Sequence, residues 1–325
     1  MATVAASNSP ITQVSATPPP IQANLQPQLL TRLQLDLRGE RFSVDRETIM
    51  NLPESVLLCL FPNGLVLSRQ SVALSEGGEN DEDEEVYSVD FDPKCFAYVL
   101  NFFKTASDNF YGTSTSPGLL AAQQHLADNA PASEFGPPLS QNPLFSKQAI
   151  IVLREELEYF AIPSKETNAL TDESGNANEA LLDLKRQCGQ VLLEKKSVFT
   201  ALQRNINKEN NVAEQHLIDM LCMSGFDRED SWGFRALEPS RSCISSIALV
   251  LLKTGINHQG PPGETTVTVD YGQMGTAQKL LLFWRKPARK CWWDGVEVDI
   301  KRSDGLVTPV KLWARRVWTL ELSLV

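Results

Sequence analysis

The stretch "LQLDLRGERFSVDRETIMNLPESVLLCLFPNG" (Leu33–Gly64) combines alternation, a turn, a helix start and an apolar helix in one short segment. Leu33, Leu35 and Leu37 alternate with Gln34 and Asp36. Gly39 supplies a residue free to adopt positive φ, and Phe42 and Val44 resume the alternation. This spacing predicts a β-hairpin. Asp45 stands where a side-chain oxygen would accept hydrogen bonds from the exposed amides of a short helix. Pro53 falls in the first turn of a second helix, which buries Val56, Leu57, Leu60 and Phe61. Almost nothing in the segment is chemically reactive.

Further on, "VYSVDFDPKCFAYVLNFF" (Val86–Phe103) predicts a strand over Val86–Phe91 and a helix capped by Asp92, with Pro93 as its first residue. Phe96, Val99, Leu100 and Phe103 follow helical spacing, so one aromatic face is buried. "FSKQAIIVLREELEYFAIP" (Phe145–Pro163) places Ile150, Leu153, Leu157 and Phe160 on one stripe and reads as a helix ended by Pro163. Residues 1–30 and 106–145 are rich in small, polar and Pro residues, and are expected to be a disordered tail and a disordered insert.

After a linker at 164–178, the spacing from Leu181 to Leu202 fits either a short coiled-coil seam or an ordinary amphipathic helix. A shorter helix carries Val212, Leu217, Ile218 and Leu221. "GFDREDSWGFRALEPSR" (Gly225–Arg241) reads as a packed loop or a binding loop. Strands are expected near 243–254, 265–271, 277–286, 296–300 and 308–324, with turns at "NHQGPPGE" (Asn257–Glu264), Asp294–Gly295 and Ser303–Gly305. Even positions of the last strand are apolar except Arg316, which calls for a bulge at Arg315 and Arg316 or a buried arginine with a carboxylate partner. The expected fold is α+β: an N-terminal domain over 31–163 with an acidic loop at 75–85, and a C-terminal domain over 179–325 of two helices and an antiparallel sheet.

At 325 residues and 42% hydrophobic content the chain can build more than one core. Its net charge of -10 argues against generic nucleic-acid binding, although residues 276–325 carry ten Lys+Arg against five Asp+Glu. Six cysteines without C-x-x-C spacing and three histidines suggest neither a disulfide framework nor a zinc site. No secretory signal is visible, and the longest apolar run, Ile247–Leu252, falls short of the ~20 residues of a membrane span, so a cytoplasmic location is expected. Hydrolase, kinase, nucleotide-binding and metalloprotease motifs are missing together, and His125, His216 and His258 occupy unrelated settings. The expectation is a non-enzyme without a cofactor or metal.

The most unusual local feature is "LLLFWRKPARKCWWDG" (Leu280–Gly295), where Trp284, Trp292 and Trp293 flank Arg285, Lys286, Arg289 and Lys290. Three readings stay open: a hairpin with tryptophans in the core and a basic turn outside, a protein-binding hot spot, or a surface for nucleic acid or anionic lipid.

The ordered blocks from Leu33 to Ile162 resemble a BTB/POZ domain of the potassium-channel-tetramerisation (KCTD) type, through Gly39, Phe42, Arg46, Pro53, Asp90, Asp92, Phe96 and Phe160. The turn departs from that pattern by carrying Arg38 where the family has a second glycine. With the acidic loop and the segments "WGFRALEPSRSCISSIALVLL" and "LLLFWRKPARKCWW", the chain is similar to the fungal whiskey growth-regulator family. That resemblance implies an adaptor in stress response and growth signalling that binds signalling proteins, assists a plasma-membrane phosphatase and restrains the TOR kinase pathway. The wider BTB resemblance implies self-association through that domain, or a role as substrate adaptor of a cullin ubiquitin ligase.

Overall fold

A computed structural model describes residues 28–65, 68–69, 86–129, 142–162, 178–209, 211–260, 266–301 and 305–325. The expected N-terminal tail up to residue 27, the acidic loop and nearly all of the linker lie outside them. The chain divides into two units. In the first, Gln28–Leu29 pairs antiparallel with Ser68–Arg69. All elements labelled below belong to the second, which takes in residues 31–65 and 83–325.

The hairpin expected at Leu33 forms from β1 (Arg32–Leu37) and β2 (Glu40–Asp45), and β3 (Val86–Val89) joins the other side of β1 in parallel. Leu33, Leu35 and Leu37 all point into the core. Leu37 faces Glu40 across a two-residue loop, in which Arg38 has φ +50° and Gly39 φ +94°. Left-handed backbone at both loop residues matches the twist of the strands. An arginine there is strained where a glycine would not be. Its side chain supplies the compensation: Nε donates to Asp90 and Nη2 to Glu238, each at 2.6 Å. The hairpin tip is thus tied to a residue 200 positions away.

After β2 come α1 (Arg46–Met50), α2 (Glu54–Leu60) and α3 (Pro93–Tyr111). Asp45 does not cap α1 as expected; its carboxylate accepts from Arg32 Nε at 3.0 Å. Asp92 does cap α3, accepting from the amides of Lys94 and Cys95 at 2.8 and 3.0 Å. Phe96, Val99 and Phe103 are buried on one face, with Phe42 edge-on to Phe96 at 5.1 Å. Residues 106–129, expected to lack structure, continue α3 to Tyr111 and form α4 (Leu119–Asn129).

The remaining chain builds a five-stranded antiparallel sheet from β4 (Ala149–Ala161), β5 (Phe234–Leu237), β6 (Cys243–Leu251), β7 (Ala288–Lys301) and β8 (Val307–Leu324), in the order β7-β8-β4-β6-β5. The helix expected over Phe145–Pro163 is instead the middle strand of this sheet. The helical stripe is only part of its apolar set: Ala149–Leu153 is continuously apolar and buried on both faces, and from Arg154 to Tyr159 every second residue is buried. The sheet therefore crosses the 164–178 linker, with β4 before it and four strands after it.

Among the described residues, four helices rather than two accompany the sheet beyond the linker: α5 (Glu179–Leu193), α6 (Thr200–Glu209), α7 (Val212–Ser224) and α8 (Tyr271–Trp284). The seam at 181–202 is an amphipathic helix interrupted between α5 and α6. The strand expected over Ala277–Lys286 is the second half of α8. Its buried Met274, Ala277, Leu280, Leu281 and Trp284 keep helical spacing inside a run too uniformly apolar to reveal it. Asp294 and Gly295 lie inside β7 rather than in a turn, and the Gly225–Arg241 segment is packed, with Phe226 and Trp232 buried.

One face of the sheet meets helices α5 to α8, where Ile151, Leu153, Trp318, Leu320 and Leu322 share a core with Phe199, Leu202, Leu221 and Ala277. Within this apolar layer sits Glu155. Arg235 Nη1 and Arg316 Nη1 each reach its carboxylate at 2.8 Å, and Trp318 Nε1 donates at 3.0 Å. Arg316 is therefore the buried arginine with a carboxylate partner, and the register of β8 runs past it without a bulge. Burial alone would raise the Glu155 pKa; the two guanidinium groups and the hydrogen bonds outweigh it and hold the carboxyl below the ordinary glutamate range.

Glu155→Gln should cost about 3–5 kcal/mol in chemical unfolding, because both arginines lose their counter-charge in the interior. The folded pKa lies below the unfolded one. The stabilisation from ionised Glu155 is therefore present above the ordinary value of 4.5 and lost as pH falls through the folded pKa, steepening acid unfolding relative to the Gln variant. At the hairpin, Arg38→Ala should cost about 1–2 kcal/mol and Arg38→Gly less, since glycine forfeits the ion pairs but relieves the left-handed backbone. Equal losses in thermal melts of the two variants would contradict that account.

Candidate functional site

The tryptophan and basic residues of Leu280–Gly295 do not form one surface. Trp284 ends α8 and is buried in the core, while Arg285 and Lys286 just beyond it are exposed. Along β7 the side chains alternate between faces. Trp292 turns inward, its ring 5.5 Å from that of Trp318, and Lys290 lies 5.8 Å from the Trp292 ring and 3.0 Å from Glu214. Arg289 and Trp293 turn outward. Trp284 and Trp292 thus pack inward, but from the end of a helix and from a strand rather than from the two arms of a hairpin, and Trp293 belongs elsewhere.

The outward face is the second face of the sheet. At one end it is covered by the N-terminal elements: the Ser55 amide and Oγ donate to Glu321, Oγ at 2.7 Å, and Arg154 Nη1 donates to the Ser55 carbonyl at 2.8 Å. Burial raises the Glu321 pKa despite those bonds. At the other end the face is open. There Phe160 of β4 stands opposite Trp313 of β8, and Trp293 of β7 stands opposite Arg315. The Phe160 and Trp293 rings lie 6.0 Å apart, and the three aromatics line one shallow depression. They are 50%, 55% and 51% exposed for Phe160, Trp293 and Trp313, far more than side chains of this size usually show. Arg315 Nη1 bonds Glu158 at 2.9 Å beside them, forming a polar rim.

The sequence-level motif residues divide accordingly. Gly39, Phe42, Arg46, Pro53, Asp90, Asp92 and Phe96 build the N-terminal hairpin, its helices and their junction with α3; the Arg46 amide closes on the Thr31 carbonyl at 2.9 Å. Phe160 stands apart on the open face of the large sheet, not on a closing helix. Trp313 escaped sequence reasoning, although its odd position among the outward residues of the last strand, next to Arg315, was the available signal.

The reactive inventory offers little. Among the described residues no group of three metal-ligating side chains converges. All six cysteines are free; burial pushes three of the thiols well up, Cys95 to about 12 and Cys188 and Cys243 to about 11, so these three are protonated and weakly nucleophilic. Among the described residues no helix is long and apolar enough to cross a membrane.

Fold and surface together define a mixed α+β protein with three half-exposed aromatics grouped on the open end of its large sheet. No protein-family model matches the chain. It is 35% identical over 295 residues to a WHI2-like protein of Schizosaccharomyces pombe, covering 90% of this chain and 88% of the relative. It is also 26% identical over 446 residues to a growth regulation protein of Saccharomyces cerevisiae, covering 90% and 91%, and 23% identical to an uncharacterised protein of Schizosaccharomyces pombe, covering 90% and 87%. The chain belongs to the fungal WHI2-like family of growth regulation proteins. None of these relatives is named as an enzyme.

Because Trp284 and Trp292 pack inward and Trp293 and Trp313 outward, alanine substitutions should separate them. Trp284→Ala and Trp292→Ala are expected to cost about 3–5 kcal/mol, with half-buried Trp292 at the lower end, and the outward pair within about 0.5 kcal/mol of wild type in denaturant titrations.

Proposed function

We propose that the protein is a non-catalytic adaptor in growth and stress regulation, and that the Phe160, Trp293 and Trp313 face docks its signalling partner. The observation that carries the reading is the exposure of three large aromatics together on a rigid sheet, beside a polar rim. Aromatic anchors on a preformed surface contribute most of the energy in protein interfaces. The growth-regulation relatives supply the biological setting, and a phosphatase at the plasma membrane is the partner implied by the family resemblance. The capped, aromatic-faced α3 behind a tight hairpin supports a BTB-like reading of the N-terminal half, within which that half serves as an assembly scaffold.

Capture from stressed fungal cells tests the proposal. The intact protein should recover a phosphatase or another signalling protein, and Trp313→Ala should lower recovery about tenfold or more while leaving the melting temperature unchanged. Recovery of no such protein, or recovery indifferent to Trp313→Ala and Phe160→Ala, would sink it. Tight binding to a cullin amino-terminal domain would instead favour the ubiquitin-ligase adaptor role.

A further inference from the structure

Beside the aromatic face lies a second unused surface, the outer edge of β7. This 14-residue strand pairs only with β8 among the described residues, from Ala288 opposite Leu320 to Lys301 opposite Val307, in unbroken register. In such a ladder alternate residues of the edge strand turn their backbone N–H and C=O outward. Exposed edges are usually blunted by shortness, bulges, proline or charge; β7 is long, unbulged and free of proline, and its protection is charge alone.

Its outward-facing side chains run Arg289, Cys291, Trp293, Gly295, Glu297 and Asp299, basic at one end and acidic at the other. Arg289, Glu297 and Asp299 are exposed, and among the described residues none of them has an ion-pair partner. A charge gradient along a strand is complementary to its own reverse. An antiparallel copy sets each end against the opposite sign.

We infer that a second copy of this chain pairs with the free edge of β7 about a two-fold axis at Trp293. An axis normal to the sheet keeps outward residues on the same side, so odd-numbered positions face odd-numbered positions. Centred on Trp293, the pairing sets the two indoles against each other, Cys291 against Gly295, and Arg289 of each copy against Glu297 of the other. Gly295 leaves open space on this face, since a Cβ there would meet nothing within 4 Å. Moving the axis to Asp294 would oppose two carboxylates, which disfavours that register. The product is one continuous sheet carrying two Phe160, Trp293 and Trp313 clusters on the same side. It presents a doubled face to any partner and requires nothing of the N-terminal half.

Sedimentation equilibrium of the full-length chain tests the pairing. Wild type is expected to dimerise, Arg289→Glu and Glu297→Arg each to weaken self-association about tenfold by creating two like-charge contacts, and the double variant to restore it. A chain that stays monomeric, a dimer indifferent to the single reversals, or a double variant that fails to recover would each overturn the inference. Both positions are exposed, so an unchanged circular-dichroism melt verifies folding. Trp313 is intact in every variant, so partner capture by a monomeric variant separates failure of this pairing from failure of the adaptor reading.

Discussion

Glu155, held between Arg235 and Arg316, is the constraint on which the large sheet depends. The three residues come from the middle strand β4, from β5 and from β8, so a single buried carboxylate links strands on both sides of it. Arg235 extends the link to Ser246 of β6 through its Nη1 at 2.5 Å. A one-residue slip of any strand would move its charged member to the opposite face and leave unpaired charge in an apolar layer. Register is thereby specified by electrostatics as well as by hydrophobic pattern. The lone arginine among the apolar even positions of the last strand is a structural requirement.

With that register set, the two faces of the sheet take different roles. The Glu155 face is filled by helices. The other face receives the N-terminal elements at one end only, through Ser55 with Glu321 and through Arg38 with Glu238. Glu238 is itself held by Ser245 Oγ at 2.6 Å, so the hairpin tip is anchored to an ordered acceptor. This explains why a strained arginine occupies a loop position where glycine is cheaper: the turn is a joint between the halves. Covering one end of the sheet leaves the other end, with Phe160, Trp293 and Trp313, facing solvent.

Much of the fold was legible where local chemistry is unambiguous. The leucine alternation before Arg38 and Gly39, the Asp92–Pro93 helix start and the even-position pattern of β8 each have one physical solution, and each formed as read. Two segments misled because each contains a near-continuous apolar run, which does not declare a period. Ala149–Ala161 satisfies a helical stripe until β6 and β8 flank it, and Ala277–Trp284 satisfies a strand until it is laid on the core as α8. The aromatic face was hardly legible, since Phe160, Trp293 and Trp313 are far apart in the chain and meet only through the order of β7, β8 and β4.

Local pattern in the amino-acid order was enough to establish an α+β chain, a hairpin with its capped helix, and the need for a carboxylate beside Arg316, because these follow from backbone sterics and the cost of buried charge. Which carboxylate, which aromatics meet on one face and which strand occupies the middle of the sheet were settled by strand order and register. Those depend on contacts between residues more than a hundred positions apart, such as Arg316 with Glu155 at a separation of 161, and no local pattern encodes them.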